Sequence, residues 1–258
     1  MKKKFLRLGA VLLCGALLGG CVRLPAPPPE TTEPLLTPNP YTALDFDYKD
    51  GYLTCISGDS ISGVDVSSYQ GKIDWEAVHS DGFDFAMVRL GFRGWGDGSL
   101  HTDDRAPENL DNAAEAGMMR GGYFFSQALT PEEAVEEAEL ALAILDGRRL
   151  ELPIVCDWEM PGETARTAGM DGAALTECVK AFCEKIREAG YTPMIYFNLH
   201  FIDRYLYLEE LRDYDFWFAL YDSPMSCPVR VDMWQYTCTG LVSGIEGNVD
   251  LDLLLLYD

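Results

Sequence analysis

Between residues 62 and 254, short runs of apolar, β-branched or aromatic residues alternate with helical patterns, and this alternation restricts the folds open to the chain. The runs are SGVDVSS (62–68), FAMVRLG (85–91), GGYFFSQ (121–127), LPIVCDWE (152–159), TPMIYFN (192–198), FWFALYD (216–222), VDMWQYT (231–237) and NVDLDLL (248–254). Their length and composition read as eight strands. TPEEAVEEAELALAILDG is the clearest helix, with Thr130 as N-cap, Pro131 at the first position, Glu133 closing a capping box and Gly147 as the stop. Segments around 74–81, 107–117, 171–190 and 201–213 bring the helices to about five, and the C-terminal third has little helix between strands. Strands that alternate with helices build a mostly parallel sheet. The pattern predicts an α/β fold, a flattened TIM-like (β/α) barrel over residues 62–258 with some outer helices missing. The rival is an open doubly wound sheet, which carries a Gly-rich phosphate turn after its first strand. DVSSYQG stands there instead, so no nucleotide cofactor is expected.

The N-terminus reads as a targeting segment. MKKKFLRL is a basic n-region and GAVLLCGALLGG a short apolar h-region, followed by Cys21. The apolar run is short for a membrane span. LLGGC resembles a bacterial lipobox, which implies cleavage after residue 20 and lipidation of Cys21; the plainer alternative is an ordinary secretory signal with an incidental cysteine. Residues 21–40 are rich in proline and read as an extended tether; residues 41–61 are a transition segment. The expected location is the outer face of the cytoplasmic membrane, held by acyl chains. With 42 acidic against 20 basic residues the net charge is −22, which repels nucleic acid and anionic headgroups alike. Six cysteines lie beyond the leader, at spacings that match no zinc pattern. Cys156 reads as a small buried hydrophobe, and Cys227 with Cys238 is the pairing the sequence favours. His79, His101 and His200 accompany no serine or cysteine nucleophile motif and read as surface or supporting residues.

The chemistry lies in PIVCDWEMPG. Residues i and i+2 of a strand share a face, so Asp157 and Glu159 project together while Trp158 points away. Their Cα atoms should be about 6–7 Å apart, at the carboxyl end of the fourth strand, where barrels carry their active sites. Two carboxylates in a partly apolar cleft titrate apart, one staying protonated and the other charged, as glycosidic cleavage requires. Asp65 lies between two valines in the first strand, and Asp250 lies in the last with Asp252 on the same face. An acid inside such a run is costly unless it is satisfied. Barrel closure would set Asp65 and Asp250 on one wall; a structural acid bonded to backbone N–H groups is the alternative, strongest for Asp252. Tyr69, Tyr123, Tyr196, Trp217, Tyr221, Trp234 and Tyr236 fall at the same level, either as core or as aromatic faces for sugar rings.

GVDVSSYQGKIDW, FAMVRLGFRG with Arg89, the GGYFF run, LPIVCDWE, MIYFN, FWFALY and DMWQYTCTGLVSGIEGNVDLD resemble, in that order, glycoside hydrolase family 25, the Chalaropsis-type lysozymes or N-acetylmuramidases. The resemblance spans about residues 62–254. It implies hydrolysis of the β-1,4 bond between N-acetylmuramic acid and N-acetylglucosamine in peptidoglycan, by a monomer without metal or cofactor. It implies that Glu159 is the proton donor, that Asp157 is the second acid, and that Asp65 and Asp250 complete the acidic floor. Tyr123 matches a tyrosine near the reacting carbon, and Trp234 and Gln235 would line the cleft with Tyr69, Arg89, Tyr196 and Tyr221. The chain departs from the family at Tyr123-Phe124-Phe125, where Tyr-His-Phe is usual, and at Phe197-Asn198, where Thr-Ser is usual. The competing readings are an inert glycan-binding lipoprotein on the same fold and a divalent-cation site built from the four acids.

Overall fold

The computed structural model describes residues 35–159, 162, 164–202 and 205–257. The leader, Cys21 and the tether up to residue 34 lie outside the described residues, as do Met160 and Pro161 of the expected strand break. In chain order the elements are β1 (Phe46–Lys49), β2 (Tyr52–Cys55), β3 (Ser60–Val66), α1 (Trp75–Ser80), β4 (Phe85–Arg93), β5 (Leu100–Thr102), α2 (Ala106–Glu115), β6 (Met119–Ser126), α3 (Pro131–Leu145), β7 (Ile154–Trp158), α4 (Gly172–Glu188), β8 (Pro193–Asn198), α5 (Leu199–Ile202), β9 (Asp215–Ala219), β10 (Met233–Gly240) and β11 (Val249–Leu255). Each of the eight expected runs overlaps one barrel strand.

The barrel order is β3-β11-β10-β9-β8-β7-β6-β4, and β4 pairs with β3 to close it. Every neighbouring pair from β3 through β10 is parallel, but β11 runs antiparallel to both β10 and β3. The reason is the connection. Only eight residues separate β10 from β11, and a parallel crossover needs a dozen or more. The expected helix over 201–213 is reduced to the single turn α5 and a 3-10 turn at Leu208–Leu211.

Side chains of alternate strand residues sort into two apolar layers. Phe85, Met87, Val155, Met194, Trp217 and Met233 fill the barrel interior. Gly63 and Gly121 make room for them, because a Cβ at either would lie 2.3 Å from the Phe85 ring or 2.4 Å from Met87 Sδ. The outer layer packs the strands against α1–α4, with Leu110, Phe124, Leu145, Phe182 and Ile186 among its fully buried members. Around β9–β11, where crossover helices are missing, the N-terminal segment supplies the cover. β1 and β2 form a hairpin over Asp50 and Gly51, both at positive φ. The hairpin buries Leu53 and Cys55 and sets the Phe46 ring edge-on to Trp234 at 5.0 Å. Residues 37–39, expected within the tether, instead strap the closed end of the barrel. The Arg230 N–H donates to the Thr37 carbonyl at 2.8 Å, and Asn39 Nδ2 donates to the Cys227 carbonyl at 3.1 Å.

Thr130 caps α3 as expected, accepting from the Glu133 N–H. The capping box does not close, because the Glu133 carboxylate accepts from the Leu129 N–H and pairs with Arg166. Cys227 and Cys238 are not bonded; all six cysteines of the described residues are free. Cys227 precedes β10 at the closed end while Cys238 lies near its far end, about 17 Å along the strand from Met233. A disulfide tolerates a Cα separation of only about 7 Å. No described helix is long and apolar enough to cross a membrane.

A buried ion pair ties β4 to α3. Arg93 Nε donates to Glu137 Oε1 at 2.7 Å, and its other nitrogens donate to the Gly98 and Glu133 carbonyls and to Glu136. Both residues of the pair are buried. Arg93→Met leaves the Glu137 carboxylate without its cation, so it should destabilise the protein by about 3–5 kcal/mol, measured by chemical denaturation at pH 7. An unchanged midpoint would remove the pair from the account of stability.

Candidate active site

The carboxyl ends of the parallel strands form the open mouth, and the expected acids converge there. Asp157 is in β7 and Glu159 follows directly after it, beyond the ladder, while Trp158 faces the outer layer. Asp65 of β3 stands opposite Asp250 of β11 in the antiparallel register, and Asp252 lies one inward-facing position deeper, opposite Gln235 of β10. Five carboxylates therefore share one end of a barrel whose floor is apolar.

Hydrogen bonds fix the deeper half of this cluster. Trp217 stands on the floor with its ring edge-on to Tyr123 and Tyr196, at 5.9 and 5.2 Å between centroids. Its Nε1 donates to Asp252 Oδ1 at 2.8 Å. The hydroxyls of Tyr196 and Tyr221 both donate to Gln235 Oε1, at 3.0 and 2.8 Å. Gln235 Nε2 in turn donates to Asp65 Oδ2 at 2.7 Å. A register shift in β10 immediately after Gln235 marks the rim, as bulges beside active sites do.

Arg89 is the cation of the site. It pairs with buried Asp103, Nη2 to Oδ2 at 2.8 Å, donates to Ser68 Oγ at 3.3 Å and lies over the Tyr69 ring at 5.0 Å. Asp103 also accepts from the Ser68 and Arg105 N–H groups. Asp103 was absent from the sequence-based set; it lies outside the strand runs, and only its contact with Arg89 marks it. A groove of about 890 Å³ leads away from Arg89 between Tyr69, Phe92, Trp95, His101 and Phe125. Tyr69 is 85% exposed at its edge.

Burial raises all five acids above their ordinary range. For Asp65 the charges of Asp250 and Asp252 add to burial. For Asp157 the Glu159 charge adds to it and the Arg89 guanidinium opposes it. For Glu159 the neighbouring charge is that of Asp250. Asp252 rises with burial and the Asp250 charge, and Asp250 itself is pushed up to about 6. Asp157 Oδ1 is buried with no hydrogen-bond partner among the described residues, a costly state for a carboxylate oxygen.

The cleft gathers Asp65, Asp157, Glu159, Asp250, Arg89, Tyr123, Tyr196, Tyr221 and Gln235, with Tyr69 at its edge. Trp234 does not join them. It alternates with Gln235 along β10, is 2% exposed in the outer layer, and donates from Nε1 to the Leu220 carbonyl. Tyr236 likewise faces outward. The histidines lie apart from the acids: His79 pairs with Asp84, His101 stacks on Phe92 and His200 leans on Tyr205. Among the described residues no three His, Cys, Asp or Glu side chains are arranged to hold a metal ion.

Comparison with known proteins agrees with this architecture. The profile of Glycosyl hydrolases family 25 matches residues 64–245. The autolytic lysozyme of Clostridium acetobutylicum is 26% identical over 193 residues, 74% of this chain and 55% of that protein. Lysozyme M1 of Streptomyces globisporus is 27% identical over 206 residues, covering 74% of this chain and 66% of its own length. The chain thus spans about half to two thirds of these relatives. A family 25 glycosyl hydrolase structure from Bacillus anthracis superposes with a TM-score of 0.65 at 24% identity, covering 83% of this chain and 94% of that one. That likeness shows the fold, and since the family profile runs through seven of the eight barrel strands, the chain belongs to glycosyl hydrolase family 25.

Proposed function

We propose that this protein is a peptidoglycan hydrolase, a muramidase that cleaves the β-1,4 bond between N-acetylmuramic acid and N-acetylglucosamine. One observation carries the reading: two neighbouring carboxylates, Asp157 and Glu159, sit at a barrel mouth in an apolar and aromatic well whose burial raises the proton affinity of both. Glu159 is the group assigned to donate that proton to the leaving glycosidic oxygen. Burial, with the Asp250 charge added to it, raises its proton affinity above that of an exposed glutamate. Asp157, with its free oxygen directed by β7 and with Arg89 opposing the rise that burial and Glu159 impose on it, is assigned to the sugar ring. It orients the N-acetyl group or stabilises the positive anomeric carbon as the bond breaks. Asp65 and Asp250 complete the negative wall. Tyr123 is assigned to the reacting carbon, Gln235, itself held by Tyr196 and Tyr221, fixes Asp65, and the groove past Arg89 and Tyr69 gives the glycan strand a path with aromatic faces. The same reading places the protein outside the cytoplasm, tethered through a lipidated Cys21, with the glycan strand as its partner.

The deciding experiment is a digest of purified peptidoglycan with products resolved by mass and reducing end. Muropeptides ending in reducing N-acetylmuramic acid are expected. Reducing N-acetylglucosamine ends would overturn the bond assignment, and glycan binding without products would favour the inert reading. Glu159→Gln should lower kcat by about 10²–10⁴-fold, the usual worth of a general acid, with circular dichroism unchanged.

The pH dependence follows from the same charges. Glu159 acts while protonated, so its raised titration extends activity to higher pH, and the alkaline limb of kcat/KM marks its ionisation. Asp250→Asn removes the charge that helps hold the proton, so that limb should move to lower pH. Stability runs the same way. An acid whose folded-state pKa is raised binds more protons folded than unfolded, so stability falls as pH rises from about 4 through the folded pKa, by on the order of 1 kcal/mol per pH unit for each group. Asp252→Asn keeps an oxygen for Trp217 and discards the charge. It should raise Tm at pH 7 and leave it nearly unchanged at pH 3.5; a lower Tm at pH 7 would contradict the burial cost assigned to Asp252.

A further inference from the structure

Glu159 is the first residue past the β7 ladder, whose last registered pair is Trp158 with Ser126. No strand hydrogen bond of that ladder therefore reaches the Glu159 carbonyl, which lies beyond the last pair. Something else must fix it, because a general acid misplaced by about 1 Å loses on the order of 10²-fold in rate.

We infer that Gln127 and Thr167 form a clamp that positions Glu159, an assignment that rests on Glu159 being the proton donor. Gln127 follows β6 and is fully buried. Its Nε2 donates to the Glu159 carbonyl at 2.6 Å and to the Ser126 carbonyl at 2.8 Å. Its Oε1 accepts from Thr167 Oγ1 at 2.9 Å. Both amide N–H groups and the amide oxygen are thus engaged, and the hydroxyl donor fixes which way round the amide sits. Thr167 is also fully buried, in the turn between β7 and α4. Displacing Glu159 would strand a buried N–H, at a cost that a solvated contact would not carry.

The clamp is anchored at both ends. The Gln127 N–H donates to Glu137 Oε1 at 3.2 Å, the same oxygen that Arg93 holds. The turn bearing Thr167 is fixed by Arg166, whose N–H donates to the Trp95 carbonyl at 2.8 Å and whose guanidinium pairs with Glu133 at 2.8 Å. Position is thereby passed from α3 to the acid through fully buried polar groups. None of these residues lies among those gathered in the cleft, so Gln127 and Thr167 are positioning residues.

Thr167→Val is close to isosteric and removes only the donor to Gln127; Thr167→Ser keeps it. On a soluble peptidoglycan-derived tetrasaccharide, Thr167→Val should lower kcat about 10-fold or more while KM stays within about twofold, and Thr167→Ser should retain most of the parent kcat. Gln127→Met, which discards both N–H groups, should lower kcat further. A folded Thr167→Val enzyme with parent kcat would overturn the clamp, as would equal losses in Thr167→Ser and Thr167→Val. A readout independent of turnover separates this from the muramidase assignment. The Glu159 carboxyl carbon, followed by NMR through a pH titration, should titrate closer to an ordinary glutamate in Thr167→Val as the side chain loosens toward water. If the parent yields no products, the function fails while this titration still decides the clamp, and an unmoved midpoint overturns it.

Discussion

Mutual repulsion among five carboxylates at one barrel end is the constraint around which the rest of this fold is arranged. Asp65, Asp157, Glu159, Asp250 and Asp252 come from three strands and one strand end; burial raises the proton affinity of all five, and Glu159, Asp250 and Asp252 each raise that of at least one other. The protein holds them together by making the lower barrel wholly apolar and by surrounding the acids with neutral donors. Trp217, Gln235, Tyr196 and Tyr221 all give hydrogen bonds within this cluster without adding charge. The cation that faces the acids among the described residues, Arg89, is itself held by Asp103, so it biases Asp157 without neutralising the group. Such an arrangement sacrifices some stability to keep a proton where a reaction can use it.

Much of the architecture was legible because strands and acids leave local signals. The i, i+2 spacing of Asp157 and Glu159 and the valines flanking Asp65 each pointed to the mouth of a barrel, and closure set Asp65 opposite Asp250. Other features were signalled but left unread. Asp50-Gly51 between Lys49 and Tyr52 is a two-residue hairpin turn, a strong short-range cue. The eight-residue link before β11 already required an antiparallel strand. Trp234 was misassigned because it and Gln235 are adjacent, and neighbours on a strand cannot face the same side. The 201–213 helix failed where the pattern gave way to a single turn.

What the sequence could not show is contact at long range. Gln127 and Thr167 lie forty residues apart, and neither belongs to a motif. The partner that Glu133 takes in place of the N-cap is likewise Arg166, 33 residues on. Pairings of this kind depend on how the β7–α4 turn folds back over α3, which no local propensity encodes. The acids themselves could be read from short segments, whereas the means of holding them still could not.

The strap over the closed end bears on how the molecule can be mounted. Leu35 and Leu36 border a pocket with Phe216 and Val229, beside the starts of β9 and β10, at the barrel end opposite the one where β3, β7 and β11 carry the acids. A pull on the chain at Leu35 is therefore taken first by the Thr37–Arg230 backbone bond rather than by the strands that hold the acids.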